Sequence, residues 1–168
     1  MTSNLQDKLS VRVEELLSFT EQDYSDIAGL VKVLSPRCSI DKAALEAVIA
    51  DSASHLFVMR PIKAGDAPGC GFSQSDGRIV GCCTVCLFAS PTGVKASIED
   101  VVVNPSFQGN GLGRLLVESA LGQLHAIAGC SAPIHIQLTS KPGRVAANAL
   151  YRSLGFKKKE TNVYVLDI

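Results

Sequence analysis

Three glycines at alternate positions, Gly109, Gly111 and Gly113, mark the stretch whose residue types are best suited to bind a ligand. The stretch follows a β-branched run that ends at Asn104-Pro105 and precedes a segment with helical spacing of apolar residues. Glycine permits positive φ and lets a ligand approach the backbone closely. A helix start adds unpaired N–H groups and the positive end of the helix dipole. The stretch is therefore expected to hold a phosphate group.

Two common nucleotide-binding motifs do not fit this loop. A Walker loop needs Gly-Lys-Ser/Thr after a gap of four residues, and the sequence contains none. The dinucleotide fingerprint G-x-G-x-x-G fails in both registers, because Arg114 or Leu116 stands where glycine is required. The pattern Q/R-x-x-G-x-G/A does fit, through Gln108, Gly111 and Gly113.

That last pattern resembles the pyrophosphate loop of the GNAT superfamily of N-acetyltransferases, where it follows the fourth strand. Residues 98–105, Ile-Glu-Asp-Val-Val-Val-Asn-Pro, are similar to the family's strand before the loop. Residues 147–156, Ala-Asn-Ala-Leu-Tyr-Arg-Ser-Leu-Gly-Phe, are similar to its late helix. The resemblance covers residues 10–168 loosely and residues 95–165 specifically. It implies acetyl-CoA as a cosubstrate, an amine as the acceptor, and no metal.

The resemblance also implies which residues bind acetyl-CoA. Backbone of the fourth strand pairs with the pantetheine amides, and the loop amides hold the pyrophosphate, with Arg114 either adding a cation or lying solvated in the first turn. The family often has Asn seven residues before the late-helix Tyr, where this chain has Arg144, and Asn148 lies one turn later, so the contact from this helix stays open between them. The implied set is Val101, Val102, Val103, Gln108, Gly109, Asn110, Gly111, Leu112, Gly113, Arg114, Arg144 and Asn148.

Two residues are candidates for the chemistry. Tyr151 is expected to protonate the departing thiolate, the alternative being a tyrosine that only packs the helix. An alkyl ammonium with a pKa of about 10 must lose a proton before it attacks, and Glu99 is the candidate base, the alternative being a surface glutamate. Strand alternation places Glu99 on the face of Val101 and Val103 and Asp100 on the other. The three histidines, His55, His125 and His135, have no motif support.

Apolar periodicity and turn residues predict the elements that position these groups. Helices are predicted over 20–34, from Ser39 or Asp41 to 50, over 112–128 and over 144–154. Strands are predicted over 11–17, 55–59, 78–88, 95–103, 134–138 and 163–166, with a long loop over 61–77. This order predicts a mixed α/β domain over residues 1–168. The resemblance implies the GNAT fold, with a central mixed, mostly antiparallel sheet of six to seven strands flanked by about four helices.

Charge and hydropathy limit the partners and the location. Sixteen basic and sixteen acidic residues give zero formal net charge, so no overall field attracts nucleic acid or an anionic membrane. No apolar run approaches the roughly 18 residues that a spanning helix needs, and the N-terminus lacks the apolar segment of a signal peptide. We therefore expect a cytoplasmic protein with no nucleic-acid or membrane partner.

The six cysteines are expected to be structural. Cys82, Cys83 and Cys86 lie in one predicted strand, where side chains alternate between faces, so Cys83 and Cys86 point to opposite sides. That arrangement suits neither a shared zinc ion nor a redox pair. Small buried thiols in a reducing compartment are the better interpretation.

Two classes of function remain open at this stage. The first is an N-acetyltransferase that acts on a primary amine of a small molecule or peptide, by direct attack on acetyl-CoA in a ternary complex. The second is a non-catalytic acyl-CoA-binding module that regulates a partner. Tyr151 favours catalysis. Exchange of C-terminal strands between subunits is common in the family, which makes a homodimer a further expectation.

Overall fold

One five-stranded sheet organises the chain in the computed structural model, which describes residues 10–62 and 77–166. The strands are β1 (Val11–Glu15), β2 (Ser54–Pro61), β3 (Gly81–Ser90), β4 (Gly93–Val103) and β5 (His135–Gln137). The helices are α1 (Glu21–Leu34), α2 (Lys42–Ala50), α3 (Leu112–Ile127) and α4 (Val145–Ser153), with a 3-10 turn at Pro105–Phe107. Strands β1 to β4 pair antiparallel in chain order, and β5 joins β4 in parallel. The predicted mixed, mostly antiparallel architecture is confirmed.

Side-chain caps start the first two helices. The Thr20 hydroxyl accepts from the Asp23 N–H at 3.2 Å, and the Asp23 carboxylate accepts from the Thr20 N–H at 3.0 Å, which completes a capping box. Asp41 caps α2 by accepting from the Ala44 N–H at 2.7 Å. The cap predicted at Thr20 is confirmed, and Asp41 rather than Ser39 begins the second helix.

The sheet divides the apolar core in two. On one face, α3 and α4 pack against β2 and β3 around Phe57, Val85 and Leu116. On the other face, α1 and α2 cover Val58, Cys82 and Val102, among other residues. Strand β3 serves both cores, since Cys82 lies in one and Cys83 in the other. This confirms that its nearly continuous apolar run is buried on both faces.

Two ion-paired arginines fix α1 across the sheet. Arg60 of β2 donates to the Glu14 carboxylate at 2.9 Å and to that of Asp23 at 2.7 Å. Asp26 accepts from the Arg78 guanidinium at 2.6 Å and from the Ile79 N–H at 2.9 Å. Burial raises the pKa of Asp23, but hydrogen bonds from Arg60 and Thr20 outweigh it, so the net pKa lies below the ordinary value. Nonlocal polar contacts therefore set where α1 lies.

The predicted count of six to seven strands was too high for the part of the chain that the structure describes. The strand predicted at 163–166 is wrong, because residues 156–166 form no helix or strand. Val163, Tyr164, Val165 and Leu166 are 69%, 88%, 81% and 84% exposed. The segment has the composition of a strand, but a strand is stable only with a pairing partner and a buried face. Most of the predicted 61–77 loop lies outside the described residues.

Candidate functional site

The loop between β4 and α3 is held by its own polar side chains. Gln108 donates from Nε2 to the Val103 carbonyl at 2.8 Å, which folds the loop back onto the end of β4. Asn110 donates from Nδ2 to the Phe107 carbonyl at 3.1 Å. Asn104 accepts from the Ser106 N–H at 3.0 Å and caps the 3-10 turn. These contacts use side chains and leave loop amides available.

Helix α3 begins at Gly111 without a side-chain cap. Gly109 and Gly111 have φ values of +82° and +75°, in the left-handed region that favours glycine, and a Cβ at either position would meet nothing within 4 Å. Glycine is therefore required there by conformation, not by crowding. Within the described chain, the N–H groups of residues 109–113 donate to no protein acceptor. A row of free amides at a helix start is suited to an anion.

The third glycine of the loop has a different role. A Cβ on Gly113 would lie 3.4 Å from Cδ2 of Leu150 in α4. The first turn of α3 therefore lies next to α4 at this point, at the distance of an ordinary side-chain contact. Arg114 also joins these helices, since its guanidinium bonds to Glu118 at 2.9 Å and to the Ser153 hydroxyl. Its charge is thus directed along α3 and toward α4, and both predicted alternatives for Arg114, a cation near the phosphates or a solvated first-turn residue, stay open.

A β-bulge lies in β4 just before this loop. Thr84 pairs with Glu99 and Cys82 pairs with Val102, so two steps along β3 match three along β4. Asp100 has φ +53° and is the one non-glycine residue of the described ranges with positive φ. Asp is one of the few non-glycine residues that adopt this conformation, and such residues cluster at functional sites.

The bulge changes which face each residue of β4 occupies. Ile98, Val101 and Val103 pack into the core under α3 and α4, whereas Val102 packs into the core under α1 and α2. Glu99 follows Ile98 in regular alternation and so faces the α1 side, as Val102 does. The prediction that Glu99 shares a face with Val101 and Val103 was therefore wrong. The physical reason is the extra residue, which shifts the alternation by one position.

The two carboxylates at the bulge influence each other. Ser97 donates its hydroxyl proton to Glu99, and both acidic residues are exposed. Burial by surrounding atoms and the charge of Glu99 raise the pKa of Asp100, although part of that residue remains in contact with solvent. No described lysine or arginine forms an ion pair with either carboxylate. A cation brought near the bulge would therefore meet uncompensated negative charge.

Strand β4 also has an open edge next to the loop. Strand β5 pairs with it only over Lys95–Ser97. Between Ile98 and Val103, the edge that faces β5 has no strand partner in the described residues. Backbone donors and acceptors on such an edge are available to an extended ligand with amides of its own.

Tyr151 lies on α4 beneath this region. Its residue surface is 9% exposed, and its ring meets Phe156 edge-on with centroids 6.1 Å apart. Burial raises the pKa of Tyr151, and Cys83 adds to this rise while the nearby Arg144 charge opposes it. The hydroxyl makes no hydrogen bond to any residue in 10–62 or 77–166. Tyr151 is therefore protonated at neutral pH, and no protein group competes for its proton.

Arg144 and Asn148 lie in the same helical region but make different contacts. Asn148 donates from Nδ2 to the carbonyls of Lys141 and Arg144, each at 2.9 Å, and so orders the turn before α4. Arg144 donates from Nη2 to the carbonyl of Leu34, the last residue of α1, at 2.7 Å. The Arg144 guanidinium thus spans from α4 to the C-terminal end of α1, where a cation is favoured by the helix dipole.

Comparison with known proteins identifies the family. The sequence profile of the acetyltransferase (GNAT) domain matches residues 69–158, which is more than half of the chain. The chain belongs to the GNAT acetyltransferase family. This confirms the resemblance first recognised in the glycine loop and the late helix, and it supports acetyl transfer as the general activity. No protein of curated function matches the chain in sequence.

Solved structures share the fold of this GNAT domain. A putative acetyltransferase from Agrobacterium tumefaciens is 22% identical with a TM-score of 0.68, and 95% of this chain and 100% of that chain are covered. An acetyltransferase from Trypanosoma brucei is 26% identical with a TM-score of 0.65 and the same coverage, 95% and 100%. An aminoglycoside N-acetyltransferase in complex with CoA is 15% identical with a TM-score of 0.68, and 97% and 98% of the chains are covered.

The sequence interpretation gave little weight to one residue that the structure makes notable. Asp100 was set aside because strict alternation places it on the face away from Val101. Its conformation and raised pKa now make it a second acidic candidate beside Glu99. A signal was present, since two consecutive acids inside a β-branched run are poorly suited to a regular strand.

Among the described side chains, no three or more His, Cys, Asp and Glu residues form a cluster that could hold a metal ion. None of the described helices has both the length and the apolar character needed to cross a bilayer.

Proposed function

We propose that this GNAT domain transfers an acetyl group from acetyl-CoA to a primary amine of a small molecule or peptide. The observation that carries the proposal is the row of free backbone amides over residues 109–113. It lies directly after the open edge of β4. Tyr151, with its unbonded hydroxyl, supplies the acid expected in such a reaction.

The cosubstrate fits the groups that are present. The loop amides and the N-terminal end of α3 would hold the pyrophosphate, because free N–H groups and the helix dipole both favour negative charge. The empty space that a Cβ would enter at Gly109 and Gly111 admits a phosphate close to the backbone. Val101, Val102 and Val103 would present their open backbone edge to the pantetheine amides. Arg144 and Asn148 remain the alternatives for a contact from α4.

The chemical step would need one acid and one base. The neutral amine nitrogen attacks the thioester carbonyl carbon, the carbon–sulfur bond breaks, and Tyr151 gives its proton to the departing sulfur. The proton released from nitrogen goes to a carboxylate or to solvent, and Tyr151 regains its proton from water. Attack within a ternary complex needs no covalent enzyme intermediate, because holding both substrates together lowers the entropic part of the barrier.

Glu99 is proposed as the base, with Asp100 as the second candidate. Both lie on the β4 bulge, and burial together with the Glu99 charge raises the pKa of Asp100, which makes its carboxylate a stronger proton acceptor. The pH profile of kcat/KM distinguishes them in Glu99→Gln and Asp100→Asn. Loss of the base removes the acidic limb of the profile. If Asp100 is the base, Glu99→Gln instead moves that limb to lower pH, because the Glu99 charge no longer raises the pKa of Asp100.

The test of the proposal uses the whole chain and two readouts. Calorimetry measures acetyl-CoA binding, and a thiol reagent measures CoA release with a panel of primary amines. Because one neighbour is by name an aminoglycoside N-acetyltransferase, aminoglycosides belong in that panel. We expect Tyr151→Phe to lower kcat by about 100-fold or more while acetyl-CoA affinity is retained. Tight acetyl-CoA binding without thiol release from any amine would favour the non-catalytic regulatory module instead.

Further parts of the proposal concern the surroundings of the enzyme. We propose one domain over residues 1–168, acting in the cytoplasm as a homodimer without a nucleic-acid or membrane partner. The exposed apolar side chains at 163–166 support self-association, since such surface is usually covered by a partner. Light scattering on the purified protein tests this, and a monomeric mass at micromolar concentration would exclude the homodimer.

A further inference from the structure

Arginines on the first two strands and at the starts of β3 and α3 all have carboxylate partners. Arg12 and Arg60 pair with Glu14, Arg78 pairs with Asp26, and Arg114 pairs with Glu118. Arg60 also pairs with Asp23. In this part of the fold, positive charge is therefore compensated by the protein itself.

The region between the C-terminal end of α1 and the start of α4, here called the mouth, has no such compensation. Arg144 bonds there only to a neutral carbonyl, that of Leu34, at 2.7 Å. Arg37 follows Leu34 by three residues, and the Lys141 carbonyl accepts from the Arg144 N–H at 3.0 Å. The side chains of Arg37, Lys141 and Arg144 are all exposed, and within the described ranges none of them has a carboxylate within 4 Å. The mouth carries uncompensated positive charge.

Opposite charge lies on the strand that α1 packs against. Glu99 and Asp100 at the β4 bulge have no cationic partner in the described chain, and α1 makes many contacts with β4. Yet neither carboxylate comes within 4 Å of Arg144, so these groups do not neutralise each other. An unpaired cation near Tyr151 and unpaired carboxylates on β4 match a molecule that carries both an anion and an ammonium.

We propose that the acceptor is a primary amine that also bears an anionic group, a carboxylate or a phosphate, which Arg144 binds. This inference rests on the proposed function and specifies its substrate class. The amine would be directed toward Glu99 and Asp100, and the anion toward the mouth. Arg144 is thereby assigned to the acceptor and not to acetyl-CoA, and a polycationic amine is a poor fit.

The geometry of Arg144 supports this assignment. A guanidinium has five N–H donors, and the bond to Leu34 uses only one of its terminal nitrogens. The remaining donors suit the paired oxygens of a carboxylate or phosphate, which bind arginine through two parallel hydrogen bonds. Arg144 directly precedes the first residue of α4 and its charge acts on the Tyr151 hydroxyl, so an anion held there keeps the acceptor near the proposed acid.

The experiment compares matched acceptors and matched variants. Amino carboxylates and phosphorylated amines are each assayed against the amide or alcohol of the same size, with wild type, Arg144→Gln and Arg152→Gln. Arg152 is the control, because it is an exposed arginine on the same helix and likewise has no carboxylate partner in the described chain. Separate carboxylate and phosphate series show which anion is preferred. Calorimetry with acetyl-CoA is run on all three proteins.

We expect the anionic acceptors to have kcat/KM at least about 10-fold above their neutral counterparts. Arg144→Gln should raise KM for the anionic acceptors by about 10- to 100-fold, which is the usual effect of losing a charge-assisted hydrogen bond. The rise in KM should be much smaller for neutral acceptors, and the effect of the substitution should fall on the anionic acceptors and not on acetyl-CoA affinity. Arg152→Gln should behave as wild type with every acceptor.

Two results would overturn the inference while leaving the transferase intact. One is an equal kcat/KM for anionic and neutral acceptors. The other is a loss of kcat/KM in Arg144→Gln that is the same for both kinds of acceptor, or a loss of acetyl-CoA affinity in that variant. Absence of thiol release with every amine would instead refute the transferase. In that case calorimetry compares the binding of amino carboxylates and phosphorylated amines to wild type and to Arg144→Gln. If none of these compounds binds wild type more tightly than Arg144→Gln, the inference is rejected.

Discussion

Helix α1 begins with Thr20 and Asp23, whose side chains satisfy the first N–H groups, whereas α3 begins with Gly111 and leaves its first N–H groups free. The start of α1 is also fixed to β2 through Arg60. A helix whose task is structural satisfies its own terminus, since unpaired buried donors destabilise the fold. The contrast teaches that the terminus of α3, unlike that of α1, keeps its N–H donors available to a group from outside the chain.

The largest expected effect comes from giving α3 a charged side chain at its first position. Asp tolerates the left-handed conformation of Gly111, and its carboxylate would both occupy the free N–H groups and repel a pyrophosphate. Gly111→Asp should therefore lower acetyl-CoA affinity by about 100-fold or more, as measured by calorimetry.

Gly111→Asn is the matched control, because it keeps the size and backbone tolerance without the charge. It should lose clearly less affinity than Gly111→Asp, and circular dichroism should show both variants folded. Wild-type affinity in Gly111→Asp would mean that the two helix starts do not differ in function.

Removing the ion pairs at the start of α1 should have the next largest effect, and on stability only. Arg60→Leu leaves the buried Asp23 carboxylate without its cation, which should lower the free energy of unfolding by about 3 kcal/mol. Urea denaturation measures this. The exposed pair of Arg12 with Glu14 provides the control, and Arg12→Leu should change stability by less than about 0.5 kcal/mol. Equal effects of the two substitutions would contradict a structural role for Arg60.

A smaller loss is expected when the cap of α1 is removed. Thr20→Ala eliminates the hydroxyl that accepts from the Asp23 N–H, at a cost of about 1 kcal/mol in the free energy of unfolding. Acetyl-CoA affinity should stay at the wild-type value. Thr161→Ala, in a segment without helix or strand, should alter neither quantity. A fall in affinity with Thr20→Ala would show that α1 takes part in cofactor binding after all.

The smallest expected effect is on the free energy of unfolding at acidic pH. Because the folded-state pKa of Asp23 lies below its ordinary value of 3.8, the carboxylate stabilises the fold above that value and this contribution is lost as pH falls through the folded pKa. Unfolding free energy measured from neutral to strongly acidic pH should decline in wild type. Asp23→Asn should decline less over the acidic range, and parallel curves would show that Asp23 does not contribute.

Local signals in the sequence were sufficient for the helix starts and the glycine loop. Thr20, Asp41 and Gly111 act within one helical turn, so their neighbours in sequence are their neighbours in space. The contact of the Gln108 side chain with the Val103 carbonyl, five residues back, is equally local, although the sequence analysis named Gln108 only as a residue of the loop. These parts of the fold and of the candidate site were predictable for that reason.

Features that depend on pairing across the sheet were not predictable. The bulge at Asp100 comes from the register between β3 and β4, and it reversed the face assigned to Glu99. The contact between Arg144 and Leu34 joins residues 110 positions apart, and no periodicity indicates it. The false strand at 163–166 arose because strand propensity says nothing about whether a pairing partner exists.

The ion pairs of Arg60 and Arg78 with α1 have a consequence for engineering. Arg60 lies just before residues 63–76, and Gly77 and Arg78 lie just after them. Arg60 pairs with Asp23 of α1 and donates to the Gly77 carbonyl, and Arg78 pairs with Asp26 of α1. Arg60 and Gly77 are thus anchored at one place beside α1, and lengthening a connection between two fixed points costs little entropy. An insertion between positions 62 and 77 should therefore leave these two anchors, and β4, where they are.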